Sequence, residues 1–204
     1  GGGGDDTITG GGGNDTLVGG AGNDTFLLTG AADGTDTITD ASGSDTILGA
    51  DGVSDVLNVL SGLANISGVE VLDGGTGAAN TILATAGADI LDFNALSVGN
   101  FTIDGGAGND TITGTTGNDR IEGGANADVA NYAYASSGLL ITVDAAGTFT
   151  VVVSAGDIDV LTGVENVVGG TSDDVLIGDG GVNTLDGGAG NDTIDMGTGG
   201  DLTA

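Results

Sequence analysis

The sequence predicts an all-β chain wound as a parallel solenoid, a β-roll or β-helix. Two nine-residue units make one coil, and irregular β coils are interspersed. Three observations carry this expectation. A nine-residue unit recurs with small variations at Gly1–Thr9, Gly10–Val18, Gly19–Leu27, Gly105–Thr113 and Gly187–Asp195. Each unit ends in a three-residue stretch around one aliphatic side chain, as in Thr-Ile-Thr at 7–9, 37–39 and 111–113. Glycine supplies 45 of the 204 residues and proline none. Helix does not survive that glycine density or that period, whereas stacked short strands tolerate both.

Laid out in nines, the chain is in phase over 1–57 (with a break at 28–30), 75–92, 105–131 and 169–204. Fifteen units result. Position six is Asp in twelve of them: Asp6, Asp15, Asp24, Asp36, Asp45, Asp89, Asp110, Asp119, Asp128, Asp174, Asp192 and Asp201. Ser54, Asn80 and Asn183 fill the other three, and position eight is apolar in fourteen, from Ile8 and Leu17 to Ile194. Positions one to six read as a turn, in which glycine supplies positive φ and Asn-Asp tolerates left-handed backbone. Positions seven to nine read as a strand whose central side chain points opposite to its neighbours. Such a strand cannot stand alone. Stacked at roughly 4.8 Å per coil, the strands become two parallel sheets with an aliphatic core between them.

Residues 58–74, 93–104 and 132–168 break the period and are read as irregular coils of one solenoid spanning 1–204. Ile66-Ser67-Gly68-Val69-Glu70 is echoed by Leu161-Thr162-Gly163-Val164-Glu165. Within 132–168, strands near Leu139–Val143 and Thr148–Val153 flank a turn at Asp144-Ala145-Ala146-Gly147, and Tyr132, Tyr134 and Phe149 widen the core. A hairpin packed on the side is the alternative for this stretch.

The 27 Asp and 3 Glu face a single Arg, for a net charge of −29. Such a polyanion repels nucleic acid and acidic lipid and opposes its own compaction. It must recruit positive charge from elsewhere. No run of 18 apolar residues provides a membrane span. The chain opens on Gly1 with no signal-peptide pattern, so it reads as a fragment, a processed product or a sequence lacking its start. With no Cys, disulfides contribute nothing.

Turns rich in carboxylates and backbone carbonyls, in a chain without His or Cys, suit a hard cation. Calcium takes six to eight oxygens at about 2.3–2.6 Å in irregular geometry; magnesium demands tighter octahedra, and zinc or copper prefers nitrogen or sulfur. Units n and n+2 stack on the same side, so one ion is expected between consecutive turns. Asp6 then pairs with Asp24, Asp110 with Asp128 and Asp174 with Asp192, while Asn183 with Asp201 makes a less charged site.

The units resemble the G-G-x-G-x-D-x-U-x nonapeptides of the repeats-in-toxin (RTX) proteins, a pattern known for calcium-binding β-helices. The linking stretches Phe26–Asp40 and Asp128–Tyr132 through Asn166 also resemble segments of bacterial RTX proteins. The resemblance implies a parallel β-roll, calcium between coils and export by type I secretion. It also implies that the position-six Asp residues are ligands, together with turn carbonyls such as those of Gly2, Gly4, Gly11, Gly13, Gly20, Gly22, Gly106, Gly108, Gly188 and Gly190. Asn126 and Ser172 replace the second glycine of the motif, Ser54 displaces Asp55, and 84–92 keeps only Gly87 and Asp89. The fullest occupancy is therefore expected in 1–27, 105–131 and 169–204.

Function follows from what the carboxylates are spent on. Without His, Cys or Lys, only paired carboxylates could perform acid–base chemistry. They are committed to a periodic role, Glu70 and Glu165 recur in equivalent linking motifs, and Arg120 reads as a surface partner of Glu122. The chain reads as non-catalytic. Ice binding by Thr arrays fails because Thr9 gives way to Leu27 and Leu48 on the same side. What remains is an extracellular, calcium-stabilised structural module of a bacterial surface: an adhesin, surface-layer or filament subunit. The alternative is the non-catalytic secretion and folding module of a larger secreted enzyme or toxin. Because Gly1 and Ala204 fall on positions one and nine, head-to-tail stacking into fibres is also expected.

Overall fold

A computed structural model describes residues 1–30, 33–50, 52, 54–59, 63–64, 66–75, 80–99, 101–143, 147–179, 181 and 183–197. Strands follow one another throughout, and no α-helix occurs among these residues. In chain order the first are β1 (Gly2–Gly3), β2 (Thr7–Ile8), β3 (Thr16–Val18), β4 (Gly20–Ala21), β5 (Thr25–Leu27) and β6 (Thr37–Thr39). Next come β7 (Thr46–Leu48), β8 (Val56–Asn58), β9 (Ile66–Ser67), β10 (Val71–Asp73), β11 (Asn80–Leu83) and β12 (Ile90–Asp92). They continue as β13 (Ser97–Gly99), β14 (Phe101–Asp104), β15 (Thr111–Thr113), β16 (Arg120–Glu122), β17 (Val129–Asn131) and β18 (Leu140–Val143). The last are β19 (Phe149–Ser154), β20 (Asp157–Thr162), β21 (Asn166–Val168), β22 (Val175–Ile177), β23 (Thr184–Asp186) and β24 (Thr193–Asp195).

The chain divides into two compact units, one of Gly1–Thr85 with Ala95–Asp104, the other of Ala86–Asn94 with Gly105–Ala204. The first is a stack of parallel ladders, and the second combines parallel ladders with an antiparallel meander. In the first, β2, β5, β7, β10 and β13 form one ladder, β3, β6 and β9 a second, and β8, β11 and β14 a third. Its core is built by like stacking on like: Ile8 on Phe26, Phe26 on Ile47 and Ile47 on Leu72. Phe26, Ile47 and Leu72 are fully buried, while the flanking Thr residues are more exposed, as a period of two requires. Consecutive coils are offset by 18 residues at first, then 21, then 25. The lengthened coils carry the third ladder, since the added residues leave room for a further strand.

In the second unit β12, β15, β17, β21 and β23 form a parallel ladder in which Leu91, Ile112, Ala130, Val167 and Leu185 stack in sequence. All five are buried. The other ladder of this unit departs from a run of irregular parallel coils. β18, β19 and β20 pair antiparallel, with Ile141 opposite Val151 and Phe149 opposite Leu161. Alternating apolar residues fix which side chains are buried, but not the direction of a strand. The meander joins the solenoid because its outer strands keep the direction of the repeats: β20 lies parallel to β16, and β18 parallel to β22. Of the turn between β18 and β19, residues 144–146 lie outside the described residues. Tyr132 and Phe149 do enter the core, and Tyr134 stands beside Tyr132 with ring centroids 6.1 Å apart.

Candidate metal centre

Each turn places position six just before its strand, so its carboxylate is carried to the same point in every coil. The structure then gives that carboxylate a definite partner. The Asp6 amide donates to Asp24 Oδ1 at 2.8 Å, Asp24 to Asp45 Oδ1 at 2.7 Å and Asp15 to Asp36 Oδ1 at 2.9 Å. In the second unit Asp89 donates to Asp110 at 2.7 Å, Asp110 to Asp128 at 2.8 Å and Asp174 to Asp192 at 2.9 Å. Of the expected pairs, Asp6–Asp24, Asp110–Asp128 and Asp174–Asp192 are therefore brought together, through the amide of one residue and the side chain of the next.

A second ladder runs the other way from position five. Asn14 Oδ1 accepts the amide of Thr35, Asn23 that of Ser44, Asn118 that of Ile158 and Asp173 that of Asn191. Position six thus reaches back along the stack and position five reaches forward. The sequence carries this as the recurrent Asn-Asp pair, which a turn reading explains without the inter-coil bonds.

In Asp24, Asp45 and Asp128 the position-six ladder uses Oδ1, and the other oxygen is the feature that needs a cation; Asp174 instead accepts from Leu139 N and Gly170 N. Asp15, Asp24, Asp45 and Asp128 each hold Oδ2 fully buried with no hydrogen-bond donor. A buried unpaired charge is costly, and Arg120, the one cationic side chain, is exposed on β16. Those of Asp15, Asp24 and Asp128 crowd the position-one glycines Gly10, Gly19 and Gly123, where a Cβ would collide with them. A Cβ on Gly105 would lie 2.6 Å from Asp110 Oδ2 and 2.6 Å from the Gly123 carbonyl oxygen of the next coil. On Gly169 it would lie 2.6 Å from Asp174 Oδ2, which accepts from Gly170 N at 2.8 Å, and 2.5 Å from the Gly187 oxygen. A carboxylate oxygen and a carbonyl oxygen from consecutive coils thus converge where only glycine leaves space. This all-oxygen donor set fits Ca²⁺.

The remaining expected ligands fall into several groups. Asp36, Asp89, Asp110, Asp119 and Asp174 are buried, and Asp6 and Asp192 half-buried, at equivalent places in their turns. Asp119 is partly satisfied within its own turn, where Thr115 N donates to Oδ2 at 2.6 Å. Asn183 closes a local turn by exchanging hydrogen bonds with Asp179. Gly4, Gly11, Gly13, Gly20, Gly22, Gly106, Gly108, Gly188 and Gly190 have positive φ, whereas Gly2 does not. Several of these glycines join turn to turn: Gly4 N donates to Ala21 O at 2.6 Å, and Gly106 O accepts from Ala125 N at 3.0 Å. Asn126 keeps the φ of the glycine it replaces, at 88°. Asp201 lies outside the described residues, as does Ala204, on which the fibre contact turns.

Other residues occupy the position-six place without standing at position six. Asp55, one residue late, donates its amide to Asn80 Oδ1 at 2.9 Å and is buried. Glu70 Oε2 accepts from Asp45 N, and Glu165 Oε2 from Asp128 N. Asp159 Oδ1 accepts from Asp119 N, and its Oδ2 takes the Tyr132 hydroxyl at 2.8 Å. Asp55, Glu70 and Glu165 share one signal, an acidic side chain directly before a short apolar strand, whereas Asp159 lies within β20.

Burial raises the pKa of Asp45, with the negative charges of Asp40, Glu70 and Asp24 adding to it. Burial also raises that of Asp128, with Glu165 adding to it. Asp159 is pushed up to about 7, first by burial and then by Asp119 and Asp157 against its hydrogen bonds from the Asp119 amide and Tyr132. These groups bind their protons more tightly in the fold than in the unfolded chain, so protonation favours the fold. That stabilisation is complete below the unfolded value of 3.8 and is lost as pH rises through the folded one. The β signal of the calcium-free chain is therefore expected to grow as pH falls from about 8 to about 5. Calcium affinity is expected to fall over the same window, because protons compete for the same oxygens. Circular dichroism with and without EDTA checks both directions.

The model of the RTX calcium-binding nonapeptide repeat (four copies) matches residues 1–27, 31–53, 74–92, 102–131 and 159–202, more than half of the chain. The chain belongs to the RTX calcium-binding nonapeptide repeat family, as a β-solenoid of such repeats. No curated protein matches it.

Proposed function

We propose that the chain is the calcium-dependent structural part of a secreted bacterial protein, a surface-layer, adhesin or filament module rather than a catalyst. The buried position-six carboxylates of Asp24, Asp45 and Asp128, each with an oxygen left unpaired, carry this reading. Position-six carboxylates and turn carbonyls hold the ions, and the ions hold the coils. Head-to-tail stacking of copies belongs to the same reading, because a coil offers its neighbour a row of strand edges and carboxylates, and sedimentation in millimolar calcium checks it. Such a module remains unfolded where calcium is scarce and folds where it is plentiful. Limited proteolysis against buffered calcium tests this: the midpoint of protection is expected at about 10⁻⁴–10⁻³ M, the range of extracellular modules. Full protection at submicromolar calcium overturns the reading.

A further inference from the structure

The turn beginning at Asp40 (Asp-Ala-Ser-Gly-Ser-Asp) differs from the turns it stacks on, because a carboxylate stands where Gly1 and Gly19 stand. Asp24, Asp40 and Asp45 each offer an oxygen there, and the three oxygens all lie within 4.8 Å of one another. Two ligands of one calcium ion, each bonded at about 2.4 Å, lie at most about 4.8 Å apart.

The carboxylates of Asp24 and Asp45 are 1% and 0% exposed, and the Oδ2 atom of each is buried without a hydrogen-bond donor. Their Oδ1 atoms are already taken by the amides of Asp6 and Asp24. Asp40 is held in place from its own turn: Oδ1 accepts from Ala41 N at 2.6 Å and Ser42 N at 3.1 Å, while Oδ2 accepts from Gly20 N at 3.2 Å. Asp40 Oδ2 and Asp24 Oδ2 both occupy the space beside Gly19, where a Cβ would collide with both. Two carboxylates so close form a hydrogen bond only when one carries a proton; ionised, they face each other unpaired.

We propose that Asp24, Asp40 and Asp45 form a three-carboxylate cation site, the first in the chain to fill with calcium. The inference rests on the calcium-dependent reading above, and it adds Asp40 as a ligand that the repeat motif does not supply. A third carboxylate raises the ligand charge, which is what separates tight from weak calcium sites, and the backbone bonds to Asp40 hold it ready.

Competition with a chromophoric calcium chelator tests the site on the whole chain. The wild-type protein is expected to hold one ion at a free calcium concentration that leaves the other turns empty. Asp40→Gly restores the repeat pattern, and Asp40→Asn keeps the shape while removing the charge. Both are expected to lose that ion, or weaken it by about tenfold or more, and to reach the wild-type circular dichroism spectrum in millimolar calcium. Variants that retain the tight ion overturn the site while leaving calcium-dependent folding intact, as does a wild-type titration with no tight ion. A wild-type chain that takes up no calcium at any concentration overturns the calcium reading and this site together.

Discussion

In excess EDTA near neutral pH the chain is expected to lose its β spectrum and expand, and to regain both on addition of millimolar Ca²⁺. The net charge of −29 is set against one Arg, and the carboxylates that the fold buries sit within one coil of each other. Unfolding lets these charges move apart and hydrate; folding without a cation buries Oδ2 atoms of Asp15, Asp24, Asp45 and Asp128 with nothing to pair them. The strands, mostly of two to four residues, give little in return, so the binding energy of the ions becomes the folding energy. Magnesium is expected to substitute poorly, because converging carboxylate and carbonyl oxygens from two flexible turns do not form a tight octahedron. Far-ultraviolet circular dichroism and small-angle scattering, with each metal in turn, measure the effect. A β spectrum unchanged by EDTA at pH 7.5 refutes it.

Replacing Ile112 by Asp is expected to abolish folding of the second unit even in saturating calcium. Ile112 is 1% exposed and stacks between Leu91 and Ala130 in the ladder of β12, β15 and β17. A charge there meets no donor, and the cost of roughly 4 kcal/mol or more exceeds what one site of calcium returns. Asp110→Ala and Asp128→Ala are expected to be milder and to resemble each other. Their double variant should cost much less than the sum of the two, because the Asp110 amide donates to Asp128 Oδ1 and both carboxylates belong to the same stack. Thermal melts of the four proteins in calcium form the test. Strict additivity of the Asp variants separates the two residues into different sites.

The period made the repeats legible: position-eight side chains such as Ile38, Ile82 and Leu176 are buried, as alternation requires. It also placed Asp6 beside Asp24 and Asp174 beside Asp192. What stayed hidden depends on distance in the chain or on direction. Asp159 reaches Asp119 across 40 residues, and no spacing rule connects them. The antiparallel course of β19 leaves no mark, because a reversed strand buries the same alternate residues. Glu70 and Glu165 were visible as an echo but not as substitutes for a position-six Asp, since their longer side chains do not fit the motif. Ser54 threw the phase off by one residue, and the fold restores it by using Asp55.

The unequal coil lengths have a consequence for how the chain finds its own alignment. A perfect array of 18-residue coils is like a ruler without numerals: sliding it by one coil matches Thr to Thr and Ile to Ile again, at the loss of a single layer. Here successive spans of 18, 21 and 25 residues in the first unit, and of 21, 18 and 37 in the second, give each unit its own order of layers. A slipped chain would meet loops of the wrong length at its next contact and leave them strained or bulged. The irregular segments therefore act as numerals on the ruler, turning a pattern with many equivalent alignments into a sequence with one.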